Sequence, residues 1–84
     1  MNININWNNE PDDTSIIVVI TGLKDITSKG LIDWIDENDS AVDIDLAEIF
    51  GNSYIIVRFL AYYNDDHRWE SERALINNLI THFV

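Results

Sequence analysis

The fold turns on the segment VDIDLAEIFGNSYIIVRFLAYY, residues 42–63. Val42-Asp43-Ile44-Asp45-Leu46 alternates apolar and acidic residues with the period of two that a half-buried strand requires. The same stretch admits a second reading. Val42, Leu46, Ile49 and Phe50 also fit one face of a helix, with Ser40 as its cap and Gly51 as the terminating glycine. The residues after Phe50 favour the strand. Gly51-Asn52 is a glycine-led pair suited to a tight hairpin turn, and Ser53–Tyr63 is rich in β-branched and aromatic residues. Glu48 breaks the alternation, so a strand reading needs a bulge near Ala47.

Near the N-terminus, Ile3, Ile5 and Trp7 alternate with Asn2, Asn4 and Asn6, which predicts a half-buried first strand. Residues 8–13, with the only proline, read as a turn. Thr14–Thr21 is β-branched almost throughout and apolar on both faces, so it reads as a strand covered on both sides or used for contact. After Gly22, any of Asp25, Thr27 or Ser28 can cap a helix. That helix gathers Leu31, Trp34 and Ile35 on one face, with Ile32 at the border, and Asp33, Asp36 and Glu37 on another. Asn38-Asp39-Ser40 ends it. The last segment, from His67 to Val84, sets Trp69, Ile76, Ile80 and Phe83 on one helical face, with Leu75 and Leu79 beside it. Asp65, Asp66, Glu70 and Glu72 stand at its N-terminal end, where the helix dipole favours negative charge.

The order is therefore ββα and then ββα again, an α+β fold in which a four-stranded antiparallel sheet carries both helices on one face. Strands 2 and 4 are apolar on both sides and belong in the centre, giving the strand order 1-2-4-3. The second sheet face then stays open. It shows Ile17 and Val19, or Ile16, Val18 and Ile20, beside Tyr54, Ile56, Leu60 and Tyr62, or Ile55, Val57, Phe59, Ala61 and Tyr63. Asp43 and Asp45 border it. An apolar, tyrosine-bearing centre with an acidic rim is suited to binding protein.

Composition narrows the function. The chain has 84 residues, of which 46% are hydrophobic, enough for one small core and too few for two domains. Fifteen acids against five bases give a net charge of −10, which repels phosphate and argues against direct nucleic-acid binding. The longest strictly apolar run, Ile16–Ile20, is far below the roughly 20 residues of a membrane span. Residues 1–6 hold no base and no continuous apolar run, so no signal peptide and no membrane association are expected. Met1 favours a whole protein, and a cytoplasmic location is the expectation.

Catalysis finds little support. No nucleophile-elbow or glycine-rich phosphate loop occurs, and no cysteine offers a thiol. Asp36, Asn38 and Ser40 match the first, third and fifth positions of a calcium loop. The match then fails, because Ala41 stands where glycine is needed and Ala47 where a bidentate Glu belongs. Asp65, Asp66 and His67 serve as helix-start residues more simply than as metal ligands. His67 and His82 would be about 22 Å apart along one helix and cannot share an ion. No enzyme activity, cofactor or metal is expected.

Charge placement is the unusual feature. Between Lys29 and Arg58 there is no base, yet Asp33, Asp36, Glu37, Asp39, Asp43, Asp45 and Glu48 fall there. Carboxylates on a rigid scaffold can imitate nucleic-acid phosphates and occupy the groove of a basic protein, with long-range attraction raising the association rate. The expected function is a non-catalytic inhibitor of a basic protein such as a nuclease or another nucleic-acid-binding enzyme, of the immunity, antitoxin or nucleic-acid-mimic type. The expected contact residues are those seven acids with Tyr54 and Tyr62. The alternative is an assembly or adaptor domain that uses the open sheet face, a homodimer included, or pairs through the first strand. If residues 42–46 are a strand, the acids wrap an edge of the domain; if residues 41–50 are a helix, they form a more continuous patch.

Overall fold

A computed structural model of the chain describes residues 2–11, 14–40, 42–51, 54–61 and 69–84. The elements run β1 (Asn4–Asn9), β2 (Ser15–Thr21), α1 (Ser28–Asn38), β3 (Asp43–Phe50), β4 (Tyr54–Leu60) and α2 (Glu70–Phe83). The four strands form one antiparallel sheet in the order β1-β2-β4-β3. The doubly apolar strands are central and the alternating ones lie at the edges, as their side-chain patterns require.

Residues 43–50 are a strand, and the hairpin accounts for this. β3 pairs with β4 from Asp43 opposite Leu60 to Phe50 opposite Tyr54. Gly51 takes the turn at φ 67°, a conformation that costs an L side chain and costs glycine nothing. The last described pair is Phe50 with Tyr54, and Asn52 of the expected Gly51-Asn52 turn lies outside the described residues. The expected bulge is present and lies at Asp45, between Ile44 and Leu46, two residues before Ala47. It shifts the alternation by one residue, so that Ala47 and Ile49 join Ile44 on the core side.

β1 is longer than its first residues suggest. Asn8 and Asn9 pair with Ile17 and Ile16, so they continue the strand and do not open the turn. At the far end of the hairpin, Gly22 has φ 96°, and a Cβ there would lie 2.1 Å from the carbonyl oxygen of Asn2. Only glycine permits that approach of the chain leaving β2 to the residues entering β1.

The core is one cluster between the sheet and the helices. Ile16, Val18 and Ile20 from β2 and Ile55, Val57 and Phe59 from β4 meet Leu31, Trp34 and Ile35 of α1 and Leu75, Ile76 and Leu79 of α2. All six sheet residues point to the same side, so both helices cover one face. Of the two open-face sets the sequence allows, the structure selects Ile17 and Val19 with Tyr54, Ile56 and Leu60; Tyr62 lies outside the described residues.

Thr27 caps α1, its Oγ1 accepting from Gly30 N at 2.9 Å. α1 leans on β3, and the Arg73 guanidinium of α2 stands 4.5 Å from the Trp7 ring of β1. α2 begins at Glu70, behind Trp69 in a left-handed conformation at φ 72°, so Trp69 is its cap residue and not part of its first turn. Trp69 is nonetheless buried. Residues 65–67, with the expected cap and histidine, lie outside the described residues. Among the described residues, no helix is long and apolar enough to cross a membrane.

Candidate functional site

The bulge at Asp45 organises the open sheet face. In a bulge, two residues of one strand oppose a single residue of its neighbour. Here Asp45 and Leu46 both meet Arg58 of β4, and the Asp45 carboxylate reaches Nη1 of Arg58 at 2.5 Å. Arg58 Nε donates to Glu10, just beyond β1, and Nη2 donates to Ser15 Oγ on β2 at 3.4 Å. The Glu10 amide donates to the Ser15 carbonyl at 3.1 Å, which holds Glu10 beside the start of β2. One guanidinium thus ties β4 to groups on or next to all three other strands. Its hydrogen bonds, to Glu10 first and Asp45 second, raise its pKa above the ordinary arginine value.

This arrangement divides the seven acids. Asp33 pairs with Lys29 at 2.5 Å one helical turn away, which raises the lysine pKa, and Asp45 pairs with Arg58. The two bases that bound the acidic stretch in sequence both reach into it. Among the described residues, Asp36, Glu37, Asp39, Asp43 and Glu48 make no ion pair. Asp36 and Glu37 are exposed on α1, Asp39 is its half-exposed C-cap, and Asp43 and Glu48 are exposed on β3. Because α1 rests against β3, these five run from the outer helix surface, around the sheet edge, to the open face. They wrap an edge, the geometry expected for the strand reading.

A shallow cleft of about 260 Å³ lies between α1 and β3, lined by Ser28, Leu31, Ile32, Ala47, Glu48 and Ile49, of which Glu48 alone belongs to this band. Ile32 is 42% exposed at its rim, beside the buried face that Leu31, Trp34 and Ile35 of the same helix form. The cleft is below the size of a typical small-molecule site and suits a single side chain of a larger partner. Its only carboxylate, Glu48, stands beside two isoleucines, a combination that accepts a cationic side chain with an aliphatic stem. The signal in the sequence was the border position of Ile32; Ala47 and Ile49 became part of the site only through the packing of α1 on β3.

The centre of the open face differs from the apolar surface expected. Arg58 lies there between Ile17 and Leu46, and its charge is held by Glu10 and Asp45. Tyr54 is 42% exposed and meets Phe50, 49% exposed, with ring centroids 6.4 Å apart, at the end of the β3–β4 hairpin. Among the described residues, no three His, Asp or Glu side chains come together as a metal site. Glu72, 4% exposed in the first turn of α2, sits where the helix dipole favours a carboxylate. His82 is exposed in the last turn, its ring 5.9 Å from that of Trp34.

Comparison with protein-family models, with curated proteins and with solved structures finds no match.

Proposed function

We propose that this chain is a non-catalytic acidic binding protein that neutralises a basic, nucleic-acid-acting protein, of the immunity, antitoxin or nucleic-acid-mimic type. The observation that carries this reading is the band of Asp36, Glu37, Asp39, Asp43 and Glu48. Five carboxylates without an ion-pair partner among the described residues follow one edge of the domain, and one of them, Glu48, lines the cleft between α1 and β3. Unpaired like charges lower the stability of a small domain through self-repulsion, a cost that a cationic partner removes. The docking site is the α1–β3 edge. The carboxylates there take the place of phosphates, and Ile32 and Ile49 take an apolar anchor. The encounter belongs to the cytoplasm, and neither nucleic acid nor membrane is bound directly.

The test is binding to a panel of basic nucleases and nucleic-acid-binding enzymes at low and high salt, with the variant Asp36→Lys/Asp43→Lys/Glu48→Lys beside the wild type. The reading expects a salt-sensitive complex that the triple variant loses. A complex of equal strength with the variant removes the acidic edge as the site.

A second reading rests on Phe50 and Tyr54, two large exposed aromatics in contact at one end of the open face. They suit an assembly or adaptor domain that engages protein through that face. In that case Tyr54→Ser weakens binding, and salt hardly changes it.

A further inference from the structure

The two edges of the sheet are built differently. β3 carries Asp43, Asp45 and Glu48 and a bulge, which are the devices that keep an edge strand from pairing with another chain. β1, Asn-Ile-Asn-Trp-Asn-Asn, has no charge, no proline and no register shift along its whole pairing with β2. Its exposed side chains are Asn4, Asn6, Asn8 and Asn9, and its inward residues Ile5 and Trp7 are only half-buried. In a chain of net charge −10, β1 is the sheet edge along which a second copy can approach without setting carboxylate against carboxylate.

The geometry points to β1 as a dimer interface, where two copies of this chain join antiparallel so that their sheets become continuous. A two-fold axis must pair residues of equal parity, or asparagines would meet the apolar face of the other copy. Centring on Trp7 would bring together two indoles, each with an Arg73 guanidinium 4.5 Å from its ring. Centring on Asn6 avoids this. Asn6 then faces Asn6 of the second copy, Asn4 faces Asn8, and Ile5 lies beside Trp7, closing the half-exposed side of both. Strand addition supplies main-chain hydrogen bonds, and asparagine side chains bond readily across such a junction. The contact is small, so the dimer forms at high protein concentration. It leaves both α1–β3 edges outermost and accessible.

Sedimentation across a concentration series, at low and high salt, tests this together with amide exchange. A dimer is expected that strengthens with salt, because salt screens the repulsion between two anionic bodies. This is opposite in sign to the salt response of a complex with a basic partner, so the two proposals fail separately. Amides within Asn4–Asn8 are expected to slow with concentration, and those of β3 are not. Asn6→Glu, which sets two carboxylates opposite each other at the axis, is expected to abolish the dimer with an unchanged thermal midpoint, whereas Asn6→Gln retains it. Should Asn6→Glu fail to fold, wild-type exchange still decides. A chain monomeric at every concentration overturns the proposal. So do protection along β3, growth beyond the dimer, or a dimer indifferent to Asn6→Glu.

Discussion

Asp45 and Arg58 stand 13 residues apart in sequence, and the carboxylate of one lies 2.5 Å from Nη1 of the other because Asp45, at the β3 bulge, shares the open face with Arg58. Arg58 also holds Glu10, so its replacement removes one ion pair from each of two carboxylates. Arg58→Met is expected to lower the denaturation midpoint. Asp45→Asn is expected to lower it less, and the double variant to lose less than the sum of the two. A urea-denaturation double-mutant cycle measures that coupling, which should shrink as salt rises, since both groups are partly exposed. Additive effects would mean that the pair contributes nothing to folding.

Gly22 sits where β2 leaves the sheet, at φ 96° and against the Asn2 carbonyl. Gly22→Ala meets both an unfavourable backbone conformation and a backbone clash. A loss of about 2 kcal/mol or more is expected, read from urea denaturation. Gly51 has a left-handed φ as well but open space around it, so Gly51→Ala is expected to cost less.

Ile17 and Ile20 lie three residues apart on opposite faces of β2. Ile20 is fully buried in the core, whereas Ile17 is half-buried on the open face. Ile20→Ala is expected to cost about 2–5 kcal/mol through lost burial and a residual cavity. Ile17→Ala should cost clearly less. Equal losses in calorimetry would mean that the open face is covered.

Thr27 caps α1 through its Oγ1, and the helix has no acidic residue in its first turn to share that role. Thr27→Ala is expected to lower stability by about 1 kcal/mol, and Thr27→Ser to retain most of it.

Much of this architecture is legible in the sequence because it follows from side-chain pattern. Strands apolar on both faces belong inside a sheet, which is enough to place β2 and β4 in the centre. The Leu31, Trp34 and Ile35 face of α1 follows from helical spacing in the same way. The position of the bulge is not legible. Local alternation points near Ala47, whereas its place at Asp45 goes with the opposition of Asp45 and Leu46 to one arginine on the next strand. The Arg58 clamp escapes a reading of the sequence for a related reason, since Glu10 and Ser15 lie 48 and 43 positions away. The acids are visible as a run, but which of them remain unpaired depends on Lys29 and Arg58 reaching inward from its two ends.

The most direct test of the acidic edge is the association rate with a basic nuclease from the binding panel, measured by stopped flow at several salt concentrations. Steered association predicts a steep fall with salt for the wild type. It also predicts a rate lower by about tenfold or more for Asp36→Lys/Asp43→Lys/Glu48→Lys at low salt. A variant that associates as fast as the wild type, with the same salt dependence, would contradict the account.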